Sequence, residues 1–133
     1  MRAAVYVRVS TPKQVHQQTL EQQLERLRDH LREQGLTLEE SLIFRDDGYS
    51  GSRLNRPGLD RLRDAIRERR IDQVVLTAPD RLARNYVHQV LLLEEFEQDG
   101  CQVQFLDRPM SQDPHDQLLL QIRGAVAEYE RTL

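Results

Sequence analysis

The stretch Ala3–Val9, with the sequence AAVYVRV, decides the fold that we expect for this chain. It is apolar at almost every position and rich in valine, which is typical of a strand buried on both faces of a sheet. Thr11 and Pro12 end it, because proline cannot donate to a strand ladder. Arg8 and Ser10 therefore lie at the carboxyl end of a buried strand, where α/β proteins place their ligands.

Other apolar runs and helical repeats alternate along the rest of the chain. We predict three further strands, at Ser41–Phe44, Gln73–Thr77 and Cys101–Leu106. Helices are predicted between and after them, at Gln17–Gln34 with Gly35 as its stop, from Pro57, at Tyr86–Gln98, and from Pro114 to the chain end. The alternation predicts an α/β fold with a mostly parallel four- to five-stranded sheet flanked by helices.

Composition limits the class of protein but not its function. The 133 residues fit one domain, and the net charge of −3 with a pI near 5.8 does not indicate nucleic-acid binding. Bulk charge is a weak guide, however, since arginines can be concentrated on one face. The lone Cys101 favours a small buried side chain over a disulfide or metal site. Without an apolar span or signal peptide, a cytoplasmic protein is the default expectation.

Ser10 is the candidate nucleophile, although no histidine lies beside it in the sequence. Arg8 is two residues away and points to the same side of an extended strand. The motif Asp80-Arg81-Leu82-Ala83-Arg84 follows another predicted strand and adds two arginines, which share a face if Arg81 begins a helix. Arginines around a serine suit a phosphodiester, because they stabilise a pentavalent transition state. An ordinary surface helix start is the simpler alternative for this motif.

Several residues near these motifs have two interpretations from sequence alone. Asp80 either orients an arginine or exchanges a proton with a leaving oxygen, or it caps the following helix. Gln14 and Gln23 either contact phosphate and fix Ser10 or are solvated helix residues. The pair Asp46-Asp47 heads a Gly/Ser loop and is interpreted as a solvated turn, so no metal site is expected. Nucleotide-binding glycine loops are absent from the sequence.

Five motifs together resemble the catalytic domain of serine recombinases, the family of resolvases, invertases, and large serine integrases or transposases. They occur in order over essentially the whole chain, as Tyr6-x-Arg8-Val9-Ser10-Thr11-x-x-Gln14, Leu20-Glu21-x-Gln23, Gly48-Tyr49-Ser50-Gly51 with Arg56-Pro57, Asp80–Arg84, and Ala125–Arg131. The resemblance implies that Ser10 attacks a DNA phosphodiester and forms a 5′-phosphoserine link without metal, ATP or other cofactor. Strand exchange and religation would follow inside a synaptic homotetramer built from homodimers.

The resemblance also implies roles for individual residues. Those with an implied catalytic role are Ser10, Arg8, Arg56, Arg81, Arg84, Asp80 and Gln23. Those implied to support or contact the DNA phosphate are Tyr6, Gln14 and Arg131. The family's long helix carries dimer contacts, and its DNA-reading domains lie beyond it. We therefore expect residues 1–133 to be a catalytic domain cut within that helix, a monomer or weak dimer in isolation.

Three departures from the family pattern qualify this expectation. Ala78-Pro79 stand where many members have a lysine and an apolar residue, and Ala65 or a neighbour replaces a lysine with an auxiliary role. The interval from Ser10 to Gln23 is longer than in small resolvases, which favours the large subfamily. The recombination site and the direction of the reaction, whether integration, excision, inversion or transposition, are not encoded in these motifs.

Two other classes of protein compete with a recombinase. A non-catalytic dimerisation or regulatory module would explain the apolar stripe of the last helix, but not the intact Ser10 with its arginines. A receiver or nucleotide-binding domain needs acidic residues after its first strand, and this strand ends in Arg8-Val9-Ser10. Formation of a covalent protein–DNA complex separates the recombinase from both.

Overall fold

A four-stranded parallel sheet forms the centre of the protein in its computed structural model, which describes residues 1–10, 19–107, 126 and 128–131. Its strands are β1 (Ala3–Val9), β2 (Ile43–Asp47), β3 (Gln73–Leu76) and β4 (Gln102–Phe105). Their order is β2-β1-β3-β4, and Val5 pairs with both Ile43 and Val75. The prediction of a parallel α/β sheet is confirmed.

Helices cover both faces of this sheet, as alternating strands and helices require. They are α1 (Leu20–Glu33), α2 (Pro57–Arg67), the short α3 (Pro79–Leu82) and α4 (Tyr86–Gln98). Alternate residues of β1 serve two cores: Val5 and Val7 pack with Leu27 of α1, whereas Tyr6 packs with the α2 and α4 side. Both cores are almost solvent-free, so β1 is fixed from above and below.

The start of α1 is set by a capping box. The Thr19 hydroxyl accepts from the Gln22 backbone N–H at 3.1 Å, and the Gln22 side chain accepts from the Thr19 N–H at 3.0 Å. The helix begins at Leu20, and Gln17, near which the prediction began it, lies outside the described residues. It ends as expected, since Gly35 has a φ of +73°.

The second strand corrects the sequence prediction for residues 41–47. A one-turn 3₁₀ helix, Glu40–Leu42, takes up the start of the predicted strand, and β2 continues to Asp47. Asp46 therefore lies within the strand and is only 1% exposed, so its assignment to a solvated turn is wrong. Its carboxylate accepts hydrogen bonds from the first backbone N–H groups of α2, which compensate its buried charge.

The last predicted helix falls mostly outside the described residues. Val126 and residues 128–131 are helical, as predicted, while residues 108–125 are not described. In the described part of the chain, no helix has the length and apolar character needed to cross a membrane.

Candidate active site

Ser10 directly follows β1, and its hydroxyl is held by Arg8. The Arg8 Nη1 donates to Ser10 Oγ at 2.8 Å and to the Tyr49 carbonyl at 2.9 Å. Ser10 is half-buried, whereas Arg8 is only 1% exposed. The prediction that both side chains share one side of the strand is confirmed by this contact. A cation that donates to the hydroxyl favours its deprotonated form.

Arg8 is a buried cation, and each of its three guanidinium nitrogens donates a hydrogen bond. Besides Ser10 and Tyr49, its Nη2 donates to the Asp80 carbonyl at 2.7 Å and its Nε to the Arg81 carbonyl at 3.1 Å. Burial, followed by repulsion from Arg56, lowers the pKa of Arg8 to about 10. The guanidinium thus remains charged at neutral pH, and its charge is directed at Ser10 and the α3 turn.

Side chains satisfy every backbone carbonyl of residues 79–83. Arg8 binds the carbonyls of residues 80 and 81, and Arg56 binds those of 81 and 82. Gln89 binds the carbonyls of Pro79 and Ala83, at 3.4 and 2.5 Å. A four-residue helix leaves most of these carbonyls without helical partners, and only the Pro79 carbonyl also accepts from a backbone N–H, that of Ala83, among the described residues. The α3 turn is therefore held in place by three buried side chains.

Arg56 lies beneath the site. It is completely buried, and its guanidinium donates to the Tyr6 hydroxyl at 3.0 Å and to the Leu82 carbonyl, with its Cζ 5.8 Å from the Tyr6 ring centroid. The resemblance implies a catalytic role for Arg56. In this structure it supports the turn that carries Arg81 and Arg84.

A carboxylate that the sequence interpretation missed lies with Arg56 and Tyr6 beneath the site. Asp46 accepts from the Tyr6 hydroxyl at 2.6 Å, and from the N–H groups of Gly58 and Leu59 at 2.7 and 2.9 Å. Burial above all, aided by the Asp46 hydrogen bond, raises the pKa of Tyr6 far above its usual range. The signal available in the sequence was position, because Asp46 comes just after the predicted strand Ser41–Phe44, at the sheet edge where Ser10 lies.

Gln23 and Arg81 hold the backbone of Arg8. Gln23 is fully buried; it accepts from the Arg8 N–H at 3.3 Å and donates to the Arg8 carbonyl at 3.1 Å. The Nη1 of Arg81 donates to the same carbonyl at 3.1 Å. Gln23 is therefore no solvated helix residue, and the alternative that it fixes the Ser10 region is the one the geometry favours.

Arg84 and Asp80 are exposed at the top of the site. The Arg84 N–H donates to the Gly51 carbonyl at 3.0 Å, and a Cβ on Gly51 would lie 2.9 Å from Arg84 Cγ and 2.7 Å from Arg8 Nη2. Glycine thus lets this loop touch both arginines. Helix α3 ends before Arg84, so the expected shared helical face with Arg81 is wrong.

The capping alternative for Asp80 is also wrong. Asn85 caps α4 by accepting from the N–H groups of Val87 and His88, and Ala78 precedes α3 at the N-cap position without a side-chain cap bond. The Asp80 side chain remains exposed at the edge of the arginine cluster. It is thus placed to meet an external group.

Two candidate residues have no described contact with this cluster. Gln14 lies outside the described residues, and Arg131 is exposed on the terminal helical segment. Within residues 1–10 and 19–107 and the terminal segment, no histidine bonds to Ser10. The same residues contain no group of three or more His, Cys, Asp or Glu arranged to hold a metal ion.

Known proteins are similar to this chain in sequence and in architecture. The family model "Resolvase, N terminal domain" matches residues 3–133. A putative DNA recombinase of Bacillus subtilis is 33% identical over 96% of this chain, and the Tn3 resolvase of Escherichia coli is 36% identical over 98%. The chain spans only 25% and 64% of the lengths of these two relatives.

Solved structures give the same result. The N-terminal catalytic domain of TP901-1 integrase superposes with a TM-score of 0.79, at 28% identity, over 99% of this chain and 98% of that one. The C-terminal catalytic domain of ISC1926 TnpA, an IS607-like serine recombinase, gives 0.72 at 26% identity over 97% and 83%. Sequence and fold therefore agree that the chain belongs to the resolvase family of serine recombinases and matches its N-terminal catalytic domain.

Proposed function

We propose that this chain catalyses site-specific DNA recombination with Ser10 as the nucleophile. The observation that carries the proposal is the 2.8 Å contact between Ser10 Oγ and the buried Arg8 guanidinium, at the carboxyl end of a parallel sheet. Membership of the resolvase family supports DNA as the substrate. A peptide or ester substrate is less suited to this site, because its charge is cationic and its serine has no histidine partner among the described residues.

The chemistry requires a bond exchange at phosphorus. Ser10 Oγ attacks the phosphodiester, the bond from phosphorus to the 3′ oxygen breaks, and a 5′-phosphoserine link remains. The serine proton leaves as the 3′ oxygen gains one, so a free 3′-hydroxyl forms. Because a hydroxyl oxygen has two lone pairs, the one that faces Arg8 leaves the other available for attack. The 3′-hydroxyl of another strand reverses the step, which conserves the bond energy without ATP.

The arginines divide into two groups in this proposal. Arg84 is exposed and meets the non-bridging phosphate oxygens, together with Arg81 at the inner edge of the site. Arg8 polarises Ser10, and Arg56 supports the turn from below. Asp80 orients an arginine or exchanges the proton of the leaving 3′ oxygen, and Gln23 fixes the backbone of Arg8. Such fixed positive charge stabilises a transition state that spreads negative charge over phosphate oxygens.

The partners follow from the family. We propose duplex recombination sites as the substrate, with homodimers that assemble into a synaptic homotetramer in the full-length protein. Gln14, Tyr6 and Arg131 are proposed to support phosphate binding. The bacterial relatives support a cytoplasmic location. Independence from metal and cofactor, and membership of the large subfamily, stay predictions, since the relatives include both long and short proteins.

A covalent-trapping assay tests the proposal. The full-length protein is incubated with a supercoiled plasmid that carries its candidate recombination sites and is then denatured. We expect protein attached to DNA 5′ ends, with a chelator present, and no attachment in Ser10→Ala. Ser41→Ala is the matched control, because Ser41 is exposed and precedes β2, away from the site.

The outcome separates the two functional classes. A 5′-linked product that requires Ser10 establishes a metal-independent serine recombinase. If the protein binds its sites under conditions that favour synapsis but never becomes linked to DNA, the catalytic proposal is overturned. A dimerisation or regulatory module is then the better description.

A further inference from the structure

Gln89 is a buried polar side chain that no sequence motif singled out. It lies in the first turns of α4, is 3% exposed, and its Nε2 donates to the carbonyls of Ala83 and Pro79. Its Oε1 is buried without a hydrogen-bond partner. An apolar side chain would fill this place without the unpaired Oε1, so the amide is costly unless its donor is needed by these carbonyls.

The donor acts at the point where α3 ends and the chain becomes extended. Ala83 has φ −162° and ψ 147°, and Arg84 follows it directly. Arg8 and Arg56 hold the carbonyls from residue 80 to residue 82, whereas Gln89 holds both ends of the turn. The peptide plane between Ala83 and Arg84 thus has its carbonyl fixed by Gln89 and its N–H fixed by Gly51.

We infer that Gln89 is a positioning residue for DNA cleavage: by fixing the Ala83 carbonyl it aims the exposed Arg84 at the phosphate that Ser10 attacks. The inference rests on the proposed function. Arg84 has a long side chain, so a small rotation of its peptide plane moves the guanidinium by more than the plane itself. A displacement of about 1 Å at a reacting group lowers rates by up to about 100-fold.

The test is a double-mutant cycle between Gln89 and Arg84 in the full-length protein. Gln89→Leu removes the donor and the unpaired Oε1 while it fills the same space, so the fold should be retained. Single-turnover formation of the covalent complex should slow by about 10- to 100-fold, with DNA affinity unchanged. In the Arg84→Ala background the same change should have no further effect. Gln98→Leu, at the exposed end of α4, is the matched control and should react at the wild-type rate.

A second measurement does not depend on DNA cleavage. Hydrogen exchange of the Arg84 amide, which is bonded to Gly51, should become at least about tenfold faster in Gln89→Leu, while amides of β3 keep their rates. A full cleavage rate in Gln89→Leu, or an equal loss in both Arg84 backgrounds, overturns the inference. If the wild-type protein cleaves no DNA, the proposed function fails. An unchanged exchange rate of the Arg84 amide in Gln89→Leu would then also show that Gln89 does not fix the peptide between Ala83 and Arg84.

Discussion

Arginines gather at both ends of the parallel sheet, but they are used in opposite ways. At the carboxyl end, Arg8 and Arg56 are at most 1% exposed and donate mainly to backbone carbonyls. At the amino end, Arg2 and Arg70 are exposed, and Arg70 pairs with Glu68 at 3.0 Å across side chains that are more than half exposed. Arginines are therefore buried parts of the candidate site at the carboxyl end of the sheet and solvent-exposed surface residues at the amino end.

The difference shows what burial does to a guanidinium. An exposed pair contributes only about 0–1 kcal/mol, because water and salt screen it. A buried arginine that loses its place leaves carbonyls and hydroxyls unpaired, at about 1–3 kcal/mol for each group. Substitutions at the two ends of the sheet should therefore separate sharply in stability.

The largest effect is expected for Arg56→Met. It leaves the Tyr6 hydroxyl and the Leu82 carbonyl without this donor, so the free energy of unfolding should fall by about 3–5 kcal/mol. Urea unfolding measures the loss. Arg84→Met is the matched control, because Arg84 is exposed; it should change stability by less than about 0.5 kcal/mol while DNA cleavage falls. Equal stability losses in the two variants would contradict the division between buried and exposed arginines.

Asp46→Asn should have the next largest effect. Two backbone N–H groups and the Tyr6 hydroxyl donate to its two carboxylate oxygens, so an amide NH₂ must face a donor. We expect a loss of about 1.5–3 kcal/mol in the free energy of unfolding. The adjacent Asp47→Asn is exposed and should be neutral within about 0.5 kcal/mol. If both substitutions cost the same, the Asp46 network does not stabilise the fold.

These residues also show how far sequence reasoning reaches. The strand Ala3–Val9, the helix Tyr86–Gln98 and the shared side of Arg8 and Ser10 follow from local pattern, and the structure has them as predicted. Asp46 was assigned to a turn because acidic and glycine residues surround it. Its burial depends on the amides of Gly58 and Leu59, which come from another element.

Arg56 and Gln89 fall outside local pattern for the same reason. The donors of Arg56 reach carbonyls 25 and 26 residues away in the chain. Gln89 belongs to an apolar helix, and only the tertiary fold brings the end of α3 to its amide. Local sequence patterns predict which strand ends lie together in the sheet. They do not predict which side chains donate hydrogen bonds to the backbone carbonyls of a short turn such as α3.

At neutral pH, Tyr6→Phe should lower the free energy of unfolding by less than Asp46→Asn does. In alkali it should also change how steeply the free energy of unfolding falls with pH. Loss of the hydroxyl should cost about 1 kcal/mol at pH 7, since Asp46 and Arg56 keep other partners. The pKa of Tyr6 is raised in the folded protein, so its neutral form stabilises the fold. That contribution is fully present below the unfolded pKa of about 10 and is lost as pH rises through the folded value.

Unfolding measured from pH 8 to 11.5 checks this linkage. The wild-type protein should lose stability above about pH 10 more steeply than Tyr6→Phe. Tyr49→Phe removes a phenol that is 39% exposed and is the matched control for loss of a phenol outside the buried network. If Tyr6→Phe keeps the wild-type slope, the buried phenol is not its source.

The smallest expected effect lies at the amino end of the sheet. Arg69 follows α2 with a φ of +62°, a left-handed conformation in which its N–H donates to the Ile66 carbonyl. Arg69→Gly should stabilise the protein by about 0.5–1 kcal/mol, because glycine adopts this conformation without steric cost and keeps the carbonyl that Arg2 binds. Arg70→Gly, without a positive φ, should instead destabilise the protein by a similar amount. Both residues lie near the amino end of the sheet, whereas Ser10 lies at its carboxyl end. DNA cleavage should therefore be unchanged in each variant. A loss of cleavage in Arg69→Gly would show that the two ends of the sheet are coupled.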